Sequence, residues 1–154
     1  MKSVCFTGHR RISQTEELKT RLRLTLISFI ENGCTDFYAG GALGWDTLCE
    51  ETVIALREEY PQIKLHLVLP CSPAEQTAKW SSPQRVRFQN ILTAADDVQY
   101  TAEHYSASCM KRRNERLVEL SECCICYCTD FQSGTGQTVR IAERNGIKIY
   151  NLAK

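Results

Sequence analysis

The stretch YAGGALGWDTL, residues 38–48, sets Gly40, Gly41 and Gly44 around Ala42 and Leu43, with Trp45 and Asp46 directly behind. The chain has 8 glycines, so three within five residues mark a place where a packing neighbour or a ligand comes close to the backbone. Two other segments share this chemistry. TGHRR, residues 7–11, offers Thr7, Gly8, His9 and Arg10, and SGTGQT, residues 133–138, offers Ser133, Gly134, Thr135 and Gly136. Each segment precedes a helical pattern. The first N–H groups of a helix lack internal partners and its dipole favours an anion. Several such ends at one edge would form a phosphate cradle. The hydroxyls of Thr7, Ser133, Thr135 and Thr138 and the guanidinium groups of Arg10 and Arg113 would serve as further donors.

Asp46 could accept hydrogen bonds from a ribose or cap the helix behind the glycines. Trp45 could stack on a base or pack beneath the loop, and Trp80 could act as a lid or stacking surface. Arg113 and Asn114, on a basic helix, are candidates for phosphate or base contact. Asp46, Glu75 and His9 are the candidates for acid–base work, His9 with no partner visible in the sequence. His66 and His104 have no companions that suggest a metal, and no metal site is expected. Three common fingerprints are missing: G-x-x-x-x-G-K-[ST], G-x-G-x-x-G after the first strand, and G-x-S-x-G.

Nine cysteines, an odd number, are expected to be free thiols in a reducing compartment. Cys123, Cys124, Cys126 and Cys128 lie in CCICYC, whose spacing is not that of a zinc site. The run is apolar throughout and reads as a central strand of a parallel sheet.

The elements that must position these residues alternate. Strands are expected at 3–7, 35–40, 63–70, 96–100, 123–128 and 147–152. Helices are expected at 15–32, 44–60, 84–95, 109–121 and from the SGTGQT loop to Arg144, with a polar loop over 71–83. Such alternation predicts a single α/β domain over residues 1–154, with a mainly parallel, doubly wound sheet and helices on both faces. Ligands bind such sheets outside the carboxyl ends of the strands. Six of the eight glycines fall in loops there; Gly33 and Gly146 fall at helix C-termini.

A length of 154 residues fits one core. The formal net charge of +1 gives no overall electrostatic case for nucleic acid or membrane, and argues against nucleic acid as partner. The arginines nevertheless cluster, at Arg10 and Arg11, at Arg85 and Arg87, and at Arg112, Arg113 and Arg116. The N-terminal residues lack the apolar core of a signal peptide, and no apolar run approaches ~20 residues. A cytoplasmic protein is expected, and self-association into a homo-oligomer is compatible with the sequence.

FTGHR at 6–10, GGALGWD at 40–46, EQTAKW at 75–80, RN at 113–114 and SGTGQTVRIAERNGIKI at 133–149 together resemble the YpsA-like family of the SLOG superfamily. This Rossmann-like group is named for the Smf/DprA and LOG proteins, and the resemblance spans nearly the whole chain. It implies a nucleotide or nucleotide-derived ligand across the glycine loops. No other cofactor is implied. The superfamily includes DNA-processing proteins, phosphoribohydrolases and sensors of nucleotide signals.

The LOG branch carries a motif resembling G-G-x-G-T-x-x-E. Laid on residues 133–140, it puts Gln137 at the threonine and Arg140 at the catalytic glutamate. An arginine would repel an oxocarbenium-like ribose, which argues against phosphoribohydrolase chemistry. The expected function is a nucleotide sensor or binding module. The alternatives are a hydrolase of an N-glycosidic bond that uses Asp46 or Glu75, and a DNA-binding protein. If Gly40, Gly41 and Gly44 admit a ligand phosphate, Gly41→Val should abolish binding and leave the fold intact.

Overall fold

A computed structural model describes residues 2–154. The chain begins with β1 (Ser3–Gly8), an apolar run buried at its centre. Then comes α1 (Glu16–Glu31), where the Thr15 side chain accepts the Leu18 N–H at 3.1 Å and Leu18, Leu22, Leu26 and Ile30 form the buried stripe. β2 (Asp36–Ala39) and α2 (Trp45–Arg57) follow, then β3 (Lys64–Leu69). The segment read as a structureless loop contains a one-turn helix, α3 (Pro73–Gln76), with proline in its first turn.

α4 (Ser82–Ala94) starts two residues earlier than apolar periodicity suggests, because Ser81 and Gln84 form a reciprocal capping box. The second half consists of β4 (Asp97–Tyr100), α5 (Cys109–Glu119), β5 (Cys123–Tyr127), α6 (Gly134–Arg144) and β6 (Lys148–Asn151).

The six strands form one sheet in the order β4-β3-β2-β1-β5-β6, and every pairing is parallel. α1, α2 and α4 bury their apolar sides on one face, against Val4, Phe6, Phe37, Leu65, Leu67 and Ile125. α5 and α6 cover the other face, over Cys5, Val68, Cys124 and Cys126. The cysteine strand is therefore core on both sides, with Cys123 and Ile125 facing α1 and α2, and Cys124 and Cys126 facing α5 and α6. All nine cysteines are free and buried. The strand order reverses between β1 and β5, and the loops after these two strands open on opposite faces. A crevice forms at such a point.

Candidate functional site

A cleft of about 470 Å³ lies at this reversal, within the size range of small-molecule sites. Thr7, Gly8, His9 and Arg10 line it from the β1 loop, Ala42 and Asp46 from the β2 loop and α2, Arg113 and Asn114 from α5, and Ser133, Gly134 and Thr135 from α6. Gly40, Gly41, Trp45 and Gly136 are not part of this lining, and Gly44 lines a separate hollow with Arg11 and Leu43. Glu75 lines a neighbouring hollow with Trp80 and Tyr105.

The structure gives the glycines of the β2 loop another reason. A Cβ on Gly40 would overlap the Arg113 guanidinium, one on Gly41 would meet Leu69, and one on Gly44 would overlap the backbone of His9 and Arg10. Gly41 and Gly44 also hold positive φ, 74° and 78°. The close approach at this loop is that of protein to protein. The expectation that Gly41→Val spares the fold is thereby corrected, since valine is strained at that φ and meets Leu69. The N-terminus of α2 is occupied as well: the Trp45 N–H donates to the His9 carbonyl at 3.1 Å. Trp45 itself is fully buried, its ring lies under Gly8 and 5.5 Å from that of Tyr127, and no face is left to stack on a base.

The N-terminus of α6 is open. Ser133 caps it, donating its hydroxyl to the Asp130 carbonyl at 2.5 Å and accepting the Gly136 N–H at 3.2 Å. That uses up the Ser133 hydroxyl but leaves the N–H groups of Gly134 and Thr135, the first two helical residues, without intrahelical partners. A Cβ on Gly134 would meet nothing within 4 Å. Gly134 therefore borders free space.

Opposite stands a buried charge cluster that sequence reasoning saw only in part. Asp46 is 5% exposed; its Oδ2 accepts the Ala42 N–H at 3.1 Å, and its Oδ1 has no partner. One turn on, Glu50 is fully buried; its Oε2 accepts the Gly41 N–H at 3.0 Å, and its Oε1 has no partner. Arg113, 7% exposed, donates to the Gly40 carbonyl and, at 2.8 Å, to Asn114 Oδ1.

Burial pushes the Asp46 carboxyl up to about 6, against the pull of Arg113 and of backbone N–H groups in the glycine loop. Burial, and then the Asp46 charge, push Glu50 well above the ordinary carboxylate range. Glu50 was missed because a glutamate on a helix usually faces water. Its spacing from Asp46, four residues on the buried side of α2, was the available signal.

His9 is engaged by the backbone: its Nε2 accepts the Thr129 N–H at 2.9 Å, which puts the ring proton on Nδ1. Glu75 binds the loop before α5, accepting from His104 Nδ1 at 2.9 Å and from the Tyr105 N–H. Arg140 donates to the Phe131 carbonyl and fastens the loop before α6. Among the described residues no group of three or more His, Cys, Asp or Glu is placed to hold a metal, and no helix is long and apolar enough to cross a membrane.

The model of the YspA SLOG family matches residues 6–149. The chain belongs to that family. A UPF0398 protein of Bacillus velezensis is 28% identical over 142 residues, covering 88% of this chain and 75% of the relative. One from Halalkalibacterium halodurans is 32% identical over 117 residues, 75% of this chain and 59% of that protein. The uncharacterized SPbeta prophage-derived protein YoqJ of Bacillus subtilis is 27% identical, covering 80% and 81%.

Among solved structures, DNA processing protein A from Helicobacter pylori superposes with a TM-score of 0.69 at 22% identity, over 96% of this chain and 63% of its own. The Streptococcus pneumoniae protein gives 0.69 at 20%, over 96% and 49%. This SLOG member thus spans less than two thirds of either DNA-processing chain and shares their fold. The Helicobacter pylori structure is described as binding single-stranded DNA. The expectation, from net charge, that nucleic acid is not a partner does not fit that neighbour. Net charge averages over the whole surface, whereas Arg10 and Arg11 stand exposed at one edge.

Proposed function

We propose that the cleft between β1 and β5 binds a nucleotide or nucleotide-derived ligand and that the protein acts as a sensor or binding module. The observation that carries this reading is Asp46 Oδ1, a buried acceptor without a partner, on a residue that lines the same cleft as the open N-terminus of α6. A buried acceptor of this kind awaits a donor, and a ribose supplies hydroxyl donors. The free N–H groups of Gly134 and Thr135, with Arg10, suit the phosphate. Arg113 is held by Gly40 and Asn114 and balances Asp46, so it sets the charge of the site and is not a free phosphate ligand.

A thermal-shift screen with AMP, ADP, ATP, NAD, ADP-ribose, cyclic nucleotides and short single-stranded DNA tests the proposal. A ligand at a hundred times its Kd adds about 2.7 kcal/mol, which moves the midpoint of a domain of this size by roughly 5–10 °C. Asp46→Ala removes the shift if the reading holds. A shift that survives Asp46→Ala and Gly134→Val places the ligand elsewhere.

A second reading, single-stranded DNA, is supported by the fold neighbour described above and by the exposed side chains of Arg10, Arg11, Lys79, Arg85, Lys111 and Arg112. It predicts that affinity for an oligonucleotide falls steeply and linearly with the logarithm of salt concentration.

A further inference from the structure

The cleft does not end at Arg10. Arg10, Ala42 and Met110 line it and also line a second hollow of about 580 Å³. The walls of the two spaces differ in kind. The first presents backbone N–H groups and a buried carboxylate; the second presents the rings of Trp80 and Tyr105 beside Leu43, among the polar side chains of Glu75, Gln76, Lys79 and Gln84.

Trp80 is held through its backbone and its ring, Tyr105 through its backbone alone. The Trp80 N–H donates to the Thr77 carbonyl at 3.0 Å, its carbonyl accepts from Arg85 Nη1 at 2.7 Å, and its ring meets that of Phe88 edge-on with centroids 5.3 Å apart. Tyr105 is fixed by its N–H to Glu75, and the neighbouring His104 binds the same carboxylate. Tyr105 as a residue is 62% exposed. An exposed aromatic ring on a backbone tied down at that residue is a surface that can stack without first being ordered.

We infer that the second hollow is a base subsite: the ligand carries two bases joined through phosphate, the phosphate crosses at Arg10, and the second base stacks against Trp80. This rests on the nucleotide reading of the first cleft and extends it to a ligand class. Two sources share that chemistry, a free dinucleotide with a pyrophosphate bridge and two successive nucleotides of a single strand.

The experiment compares AMP, NAD and the single-stranded dinucleotide pdApdA by calorimetry and by tryptophan fluorescence. The chain has two tryptophans, and Trp45 lies under Gly8 at the first cleft, so the part of the emission change that is lost in Trp80→Phe reports on Trp80. The expected result is at least tenfold tighter binding of a two-base probe than of AMP, with quenching. Trp80→Leu should bring that probe to the affinity of AMP and leave AMP unchanged, while Trp80→Phe should keep most of the gain.

A preference for NAD identifies the free dinucleotide, and a preference for pdApdA the single strand. Equal affinity for all three probes, or a Trp80→Leu variant that weakens AMP as much as the two-base ligand, overturns the second subsite and leaves the first cleft standing. If none of the three binds, the nucleotide reading falls with it.

Discussion

Gly40 and Arg113 share one volume: the guanidinium of Arg113 lies where a Cβ on residue 40 would be, and donates to the Gly40 carbonyl. The buried arginine faces two buried carboxyls, and its position depends on that missing side chain. Gly40→Ala therefore displaces Arg113 and leaves Asp46 less compensated. Removing one partner from a buried charge group costs about 3–5 kcal/mol. Arg113→Met should approach that loss in denaturant unfolding, and Gly40→Ala should lose a large part of it. Unchanged unfolding midpoints for both variants would show that Arg113 does not hold the cluster.

Asp46 makes stability depend on pH in an unusual direction. Its folded value, about 6, lies above its ordinary 3.8, so between these limits the folded state binds the extra proton. Stability contributed by this group falls as pH rises from about 4 to about 6 and is level above. The stability of Asp46→Asn relative to the parent protein should accordingly improve over that window. A difference that stays flat from pH 4 to 7 would contradict it.

His66 gives the opposite sign through Asp36. Its Nε2 lies 2.7 Å from Asp36 Oδ1, its Nδ1 meets Asp97, and its ring stacks on Tyr38 with centroids 4.5 Å apart. Burial alone would raise the Asp36 carboxyl, but hydrogen bonds from His66 and Thr35 hold it below the ordinary range. A depressed carboxylate stabilises the fold above its unfolded pKa, and that contribution is lost as pH falls through the folded value. His66→Phe should raise the acid-unfolding midpoint of the β2–β3–β4 edge, as read by hydrogen exchange.

The glycines divide into two experimental classes. Gly41→Val and Gly44→Ala meet protein at positive φ and should lower Tm sharply. Gly134→Ala meets nothing and should change stability by less than about 1 kcal/mol, while a larger side chain there narrows the cleft. The clean test of ligand contact is thus Gly134→Val, scored by binding at unchanged Tm.

The cysteines should be silent. Burial pushes the thiols of Cys34, Cys123 and Cys126 up to about 12, and all nine are buried. At pH 8 the native protein should take up almost no iodoacetamide within minutes, and nine equivalents after denaturation. Rapid native labelling of any β5 cysteine would show that the strand opens.

The architecture was legible because strand and helix patterns alternate, and because CCICYC is apolar on both faces. The role of the β2-loop glycines was not. A sequence shows that something approaches Gly40, Gly41 and Gly44, but Arg113, Leu69 and the Arg10 backbone come from distant segments, and only the tertiary structure brings them there. Asp46 was readable from its place behind the glycines. Glu50 was hidden by its polarity, and Gln76, which donates to the Gly41 carbonyl at 3.0 Å, lay in a stretch read as structureless. The start of α4 was missed because capping chemistry, not apolar spacing, begins that helix.

Strand order also sets a sequence in time. β1 is synthesised first, yet its second neighbour, β5, spans Cys123–Tyr127. From the moment residues 3–8 leave the ribosome until residues 123–127 follow, the central strand of the sheet has one bare edge, a template for wrong partners. The cleft opens at this same seam. It forms only after β5 and the start of α6 have been made, so a nascent fragment that lacks them has no such cleft.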